Sequence, residues 1–180
     1  MVKKIQIEGI AIVEGKSRNN VMYTAETLNK FAPTLTGRPI LKDHTNSSDM
    51  VIGKVTKSES IDGGKKVRYS GWIKEDGTGI TEKIQDGRIC EVSIGAIAGR
   101  MLKESEDSDY VIAEDLGALE LSTTPVPGVV GTSMGQMGNT EESIKNIIEE
   151  YKGLITEEIK ESCSSSKEEI NINEKEVKME

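Results

Sequence analysis

The 180-residue chain has a single histidine, two cysteines, one phenylalanine and one tryptophan, and aromatic residues make up only 3% of it. One histidine excludes a multi-histidine metal centre. Cysteines 73 positions apart supply neither a disulfide scaffold nor a cysteine-rich zinc site. Positive charge is also in deficit, with 23 Lys and Arg against 31 Asp and Glu and a net charge of −8. The chain therefore lacks the basic face that a nucleic-acid binder needs to neutralise phosphates. No apolar run approaches the roughly 18 residues that would span a bilayer. The opening MVKKIQIEGIAIVEG has neither the uninterrupted apolar stretch nor the small-residue cleavage site of a signal peptide. These absences leave an acidic, soluble protein of cytoplasmic type, with no membrane and no nucleic acid among its partners. The length suits one compact domain with an appendage, able to bury about 70% of its unfolded surface.

The charge that is present is unevenly placed. Residues 139–180 hold 12 acids against 6 bases, three quarters of the net charge, so the body is nearly neutral. Between body and tail lies GVVGTSMGQMGNT, with glycines at 128, 131, 135 and 138, poor in helix or strand propensity. The division expected is a body over 1–130, a Gly-rich linker over 131–140 and an acidic tail over 141–180. In the tail, Asn139 and Glu142 have the spacing of a capping box. Ile144, Ile147, Ile148, Tyr151, Leu154, Ile155 and Ile159 then recur at helical spacing, predicting one amphipathic helix followed by a polar, disordered end. Its apolar stripe could pack on the body, on a second copy, or on a partner helix.

The body has a different periodicity. KKIQIEGIAIVEG alternates with period two and predicts a strand, and AETLNKFAPTL over 25–35 predicts a short helix ending before Gly37. Strands are expected over Met50–Ser60, Lys65–Ile73, Ile89–Ala98, Tyr110–Ala113 and Ala118–Thr124, with a helical turn or two over Gly79–Gln85. Asp-Gly and Gly-Gly turns separate them. The fold class expected is mainly β with a few short helices (α+β), built as a small, barrel-like antiparallel domain.

Three residue types in this body could carry chemistry. His44, in PILKDHTNSSDMVIG, is the one side chain whose ordinary titration lies near neutrality, and so the default general base. It could equally be a polar surface residue. Asp43, its neighbour, would point away from it in an extended segment. In Arg88–Ala98, alternate residues Cys90, Val92, Ile94, Ala96 and Ala98 form a small apolar face that belongs in a core, which makes Cys90 a buried, inert hydrophobe. Ser93 lies on the opposite face with Glu91 and Gly95, where a glycine permits close backbone approach and frees N–H groups for an oxyanion hole. Cys163 sits in the polar tail. Ser93 is thus the better nucleophile, or simply a serine in a strand. Glu120 interrupts the apolar and hydroxylic strand LGALELSTT, where an acid is costly unless paired. It could orient His44 or pair with Arg100, and Asp115 is the competing acid.

In order along the chain, four segments resemble those of the prohead (capsid maturation) serine proteases of tailed viruses, relatives of the herpesvirus assemblin proteases. EGIAIVEGKSRNNVMYTAETL resembles the opening strand, Arg-Asn segment and helix. PILKDHTN followed by IGKV resembles the histidine segment, EVSIGA the nucleophile strand, and LELSTTPVPG the closing strand. The separations, 49 positions from His44 to Ser93 and 27 from Ser93 to Glu120, are of the family's size. The resemblance covers roughly residues 5–130 and implies an assemblin-type fold with a Ser93–His44–Glu120 triad. It leaves Asp115 in competition for the third place. Backbone N–H groups around Ile94 and Gly95, and more weakly Arg100, would form the oxyanion hole. It further implies an endopeptidase without cofactor or metal, located in the host cytoplasm inside immature capsids. Its partners would be scaffold protein, major capsid protein and conceivably a second copy of itself, and it would cut itself near Gly128–Thr140. A non-enzymatic scaffold-binding or capsid-assembly protein, or a small β-barrel binding module, are the alternatives.

Overall fold

The structure is a computed structural model that describes residues 3–75 and 77–137. The helix and the disordered end expected for the tail, like Cys163, fall outside the described residues. Among those described, nine strands and two α-helices occur: β1 (Lys4–Val13), β2 (Gly15–Lys16), β3 (Val21–Tyr23), α1 (Ala25–Leu35), β4 (Pro39–Lys42), β5 (Val51–Ile61), β6 (Lys66–Lys74), α2 (Ile80–Gln85), β7 (Val92–Leu102), β8 (Val111–Thr123) and β9 (Gly135–Gln136). The domain is mainly β, as the periodicity predicts. It is an open, mixed sheet rather than the barrel-like antiparallel domain expected. The strands follow one open path, β2-β3-β8-β4-β5-β6-β1-β9, with β7 on β8, and β8 runs parallel to both β3 and β4. None of the described helices is long and apolar enough to cross a membrane.

The hydrophobic pattern selects the buried faces. In β6 the alternation of KVRYSGWIK buries Val67, Tyr69, Gly71 and Ile73 and leaves the intervening residues partly or fully exposed. In α1, Leu28, Phe31, Ala32 and Leu35 recur along one face and pack into the same core as Ile7, Ile40, Val55 and Leu121. The helix begins because the Thr24 hydroxyl accepts the Thr27 N–H at 3.2 Å. Each fully buried Ile, Leu or Phe in this cluster contributes roughly 1.5–3 kcal/mol.

Helix α1 also completes β8. Thr27 Oγ1 donates to the Ala113 carbonyl at 3.0 Å, and the Ala118 N–H donates to Thr34 Oγ1 at 3.0 Å. Between the stretches that pair with β3 and β4, these hydroxyls supply the bonds a neighbouring strand would have made. This is one strand where the sequence predicts two, over Tyr110–Ala113 and Ala118–Thr124. The intervening Glu114, Asp115 and Gly117 have turn composition, yet they continue the ladder, with Asp115 in the left-handed region (φ 53) and Arg100 opposite Glu114.

Residues 131–137 do not behave as a free linker. The Ser133 N–H donates to Ile10 O at 2.9 Å, Met134 is buried, and β9 pairs with β1. Glycine permits this: a Cβ at Gly9 would lie 1.9 Å from Ser133 O.

The buried Tyr69 gives the fold an alkaline limit. Its hydroxyl donates to Ser133 O at 3.3 Å, and burial pushes its titration far above the ordinary phenol range, with Tyr23 raised in the same way. A raised folded-state value stabilises the protein below the unfolded value and loses that contribution above it. Stability should therefore fall as pH rises past about 10, where the unfolded chain releases these protons and the folded one does not. Chemical denaturation between pH 8 and 11 should show that fall, and Tyr69→Phe should flatten it. An unchanged slope in Tyr69→Phe would assign the alkaline loss to other groups.

Candidate functional site

His44 sits on an elbow just past β4. Asp43 and His44 both have positive φ, 47° and 55°, a conformation that Asp and His enter more readily than most residues but that still carries strain. The segment is therefore not extended, and the Asp43 side chain lines a separate cavity of about 280 Å³ with Lys42, Lys83 and Pro125. Three bonds hold the elbow: Asp43 N–H to Thr123 O at 3.1 Å, His44 N–H to Ser122 Oγ at 3.0 Å, and Thr45 N–H to Lys42 O at 2.9 Å. Two of the three come from the end of β8, which runs alongside β4 with Ile40 opposite Leu121 and Lys42 opposite Thr123.

The elbow sets the imidazole on Glu120. His44 Nδ1 is 2.6 Å from Glu120 Oε1, with the imidazole partly exposed and the carboxylate nearly buried. An ionised carboxylate only accepts hydrogen bonds, so this partner assigns the proton to Nδ1 and leaves Nε2 as the free basic nitrogen. The other carboxylate oxygen, Oε2, accepts from the hydroxyl of Ser122 at 2.6 Å. Glu120 does not pair with Arg100. Arg100 instead holds Glu114 and Asp115, each at 3.1 Å, and this commits Asp115 to a salt bridge further along β8.

A bulge puts Glu120 on this face. Opposite β7, the register shifts by one residue between Ala118 and Glu120, where Leu119 is extra. Ala118 and Leu121 both face the core as a result, and Glu120 and Ser122 lie on the opposite face of the sheet, buried beneath the elbow. Across the ladder, Gly95 stands opposite Glu120 and Ser93 opposite Ser122. Directly opposed residues share a face with Cβ atoms about 5 Å apart. Ser93, Gly95, Glu120 and Ser122 thus form one patch beneath the His44 elbow.

Gly95 is there for space. A Cβ on it would lie 2.0 Å from Glu120 Oε1 and 2.7 Å from Cδ. Ile94 faces the core side against Leu121, and the backbone of Ile94 and Gly95 lies within the β7–β8 ladder. Ser93 is half-buried at the edge of a small cavity of about 60 Å³ that Tyr23, Ile94, Gly128 and Val129 also line. No hydrogen bond joins Ser93 to His44 among the described residues; in an unliganded site such bonds are often long and tighten only with substrate.

The apolar face of β7 holds for Val92, Ile94, Ala96 and Ala98, but Cys90 is exposed rather than buried. The strand begins only at Val92, so the alternation does not reach back to Cys90, whose carbonyl accepts the Met134 N–H at 2.7 Å.

Two contributors escape the sequence reading. Ser122 is fully buried and bonded to both His44 and Glu120. Its signal was present as a hydroxyl two positions from an acid in a strand, the spacing of one face. Gly128, placed by composition at the start of a flexible stretch, stands against the nucleophile candidate: a Cβ there would lie 3.7 Å from Ser93 Oγ. Arg18 fixes that segment, its backbone N–H donating to Gly128 O at 2.8 Å and its Nε to Pro127 O at 3.1 Å. No cluster of three or more His, Cys, Asp or Glu among the described residues could hold a metal ion.

No protein-family model and no curated protein matches this chain.

Proposed function

We propose that the chain is a serine endopeptidase in which Ser93 is the nucleophile, His44 the general base and Glu120 the orienting acid. The observation that carries this reading is the 2.6 Å contact from His44 Nδ1 to Glu120, on the sheet face that also bears Ser93. That contact leaves Nε2 as the base, which is the role a serine nucleophile requires. In the reaction, Ser93 Oγ attacks the scissile carbonyl and His44 Nε2 takes its proton. The imidazolium, stabilised by Glu120, then protonates the leaving amine. Water, activated by the same nitrogen, releases the acyl group and restores the serine. Backbone N–H groups near Ile94 and Gly95 are the proposed oxyanion donors.

The biological setting rests on the resemblance of the four segments to prohead proteases. In that setting the substrates are scaffold protein, extensions of the major capsid protein and the chain itself. Because 133–136 are tied to β1, self-cleavage is expected beyond Met137 rather than within Gly128–Gln136.

The direct test is labelling with a fluorophosphonate, which reacts only with an activated serine. Wild type should gain one adduct, mapped by peptide mass to Ser93, and His44→Ala should gain none. A folded wild type that labels elsewhere overturns the assignment of Ser93, and one that stays unlabelled favours a non-enzymatic scaffold-binding role.

A further inference from the structure

We infer that Ser122 is a positioning residue of this site: it fixes the Glu120 carboxylate and the His44 elbow at once, and so sets how the imidazole is held. The hydroxyl has one proton and two lone pairs, and both capacities are used in opposite directions. Its O–H donates to Glu120 Oε2 at 2.6 Å, and its oxygen accepts the His44 N–H at 3.0 Å. Together with the 2.6 Å contact between Nδ1 and Oε1, these bonds close a ring that runs from the His44 amide through Ser122 and Glu120 to the His44 ring. A carboxylate held at only one oxygen can rotate about its terminal torsion, which is broad and weakly restrained. With Oε2 held by Ser122, Oε1 stays aimed at Nδ1.

The same hydroxyl offsets backbone strain. Asp43 and His44 in succession occupy the left-handed region, and such a pair persists only where the surroundings over-determine it. Thr123 O takes the first N–H and Ser122 Oγ the second. Ser122 cannot itself be the attacking group, because it is fully buried. Ser93, directly opposite on β7 and half-buried, is reachable. Of two serines facing each other across one ladder, one is placed to react and the other to hold the base.

The kinetic consequence rests on the peptidase reading, but the positioning itself does not, and the chain's single histidine lets the two be separated. Imidazole ¹⁵N and Nδ1–H spectra would be recorded on the full chain as wild type, Ser122→Ala, Ser122→Cys and Ser122→Thr, beside peptide hydrolysis. Wild type should show a persistent, downfield Nδ1–H and a neutral ring protonated at Nδ1. Ser122→Ala should lose that signal and mix the two tautomers. Cys restores volume but hydrogen-bonds weakly, and should resemble Ala, whereas Thr keeps the hydroxyl and should restore the wild-type pattern. Where hydrolysis is measured, kcat should fall roughly 10- to 100-fold in Ala and Cys with KM little changed, the scale seen for groups that orient a functional histidine. A Ser122→Ala protein that keeps the Nδ1–H signal overturns the inference, as does recovery by Cys but not Thr, which would mean the site needs only the volume. The spectroscopic pattern without hydrolysis by wild type would uphold Ser122 and remove the peptidase.

Discussion

Ser93→Ala should abolish peptide-bond cleavage, lowering it by about 10⁴-fold or more, while leaving the fold unchanged. The substitution removes one half-buried oxygen, Oγ, which makes no hydrogen bond among the described residues, and leaves the backbone ladder intact, so little stability is at stake. All of its expected effect is chemical, because without Oγ there is no acyl-enzyme and His44 has no proton to accept. The measurement is intact mass of wild type and Ser93→Ala after incubation at high concentration. Shortening of wild type alone, at a cut beyond Met137, supports both the activity and the nucleophile. Shortening of both would sink Ser93 and point to a contaminant or to the exposed Cys90. If both stay whole, the comparison would be repeated with the capsid and scaffold proteins co-expressed.

The second large effect is expected from Gly95→Ala. Its new methyl would start 2.0 Å from Glu120 Oε1, and no other atom crowds that position as closely. The colliding atom is the end of a side chain, so the sheet can keep its register and the carboxylate must leave. Leaving costs Glu120 both partners, His44 and Ser122, each now at 2.6 Å. Losing these charge-assisted bonds should cost about 1.5–3 kcal/mol each at most. The melting temperature should therefore fall by several degrees, with no loss of secondary structure by circular dichroism. Hydrolysis should drop by up to about 10⁴-fold, the scale of losing the acid that holds the correct tautomer. A double-mutant cycle makes this sharper. In Glu120→Ala the space is empty, so adding Gly95→Ala should cost almost nothing more. Full activity in Gly95→Ala would show that Glu120 need not sit where it does.

Period-two alternation placed β1 within a residue or two, and β5, β6 and α1 were bracketed nearly as closely by the turn signals around them. Strand β6 keeps one period throughout, and β1 and β5 each carry a single register shift, at Ala11 and Thr56, within an otherwise clear pattern. Strand β8 defeats such reading because Asp115 and Leu119 each interrupt its alternation, and a shifted period is indistinguishable from a turn in one dimension. The open path of the sheet was equally hidden, since pairing of β8 with β3 and β4 joins segments about ninety and eighty residues apart, beyond any local pattern. At the site, Glu120 could be singled out because an acid stands out in an apolar strand. Ser122 carried only a faint mark, a hydroxyl two positions from that acid, which is ordinary in Ser-Thr-Thr until its two bonds are visible. Gly95 was legible as a place of close approach, but the group approaching it was not.

Strand β8 has one more consequence, and it concerns time. It is the last long strand of the body to be synthesised, yet it is the neighbour of β3, β4 and β7 and the seat of both α1 hydroxyl bonds. Such distant pairings make loop closure entropically costly, and they place this domain among slow folders. A nascent chain that ends before residue 111 already contains His44 and Ser93, but nothing holds them together. The elbow, the acid and the serine opposite acquire their positions in the same late docking event. On the proposed reading, a chain still emerging from the ribosome would be inert, and competence for chemistry would arrive only when its body is whole.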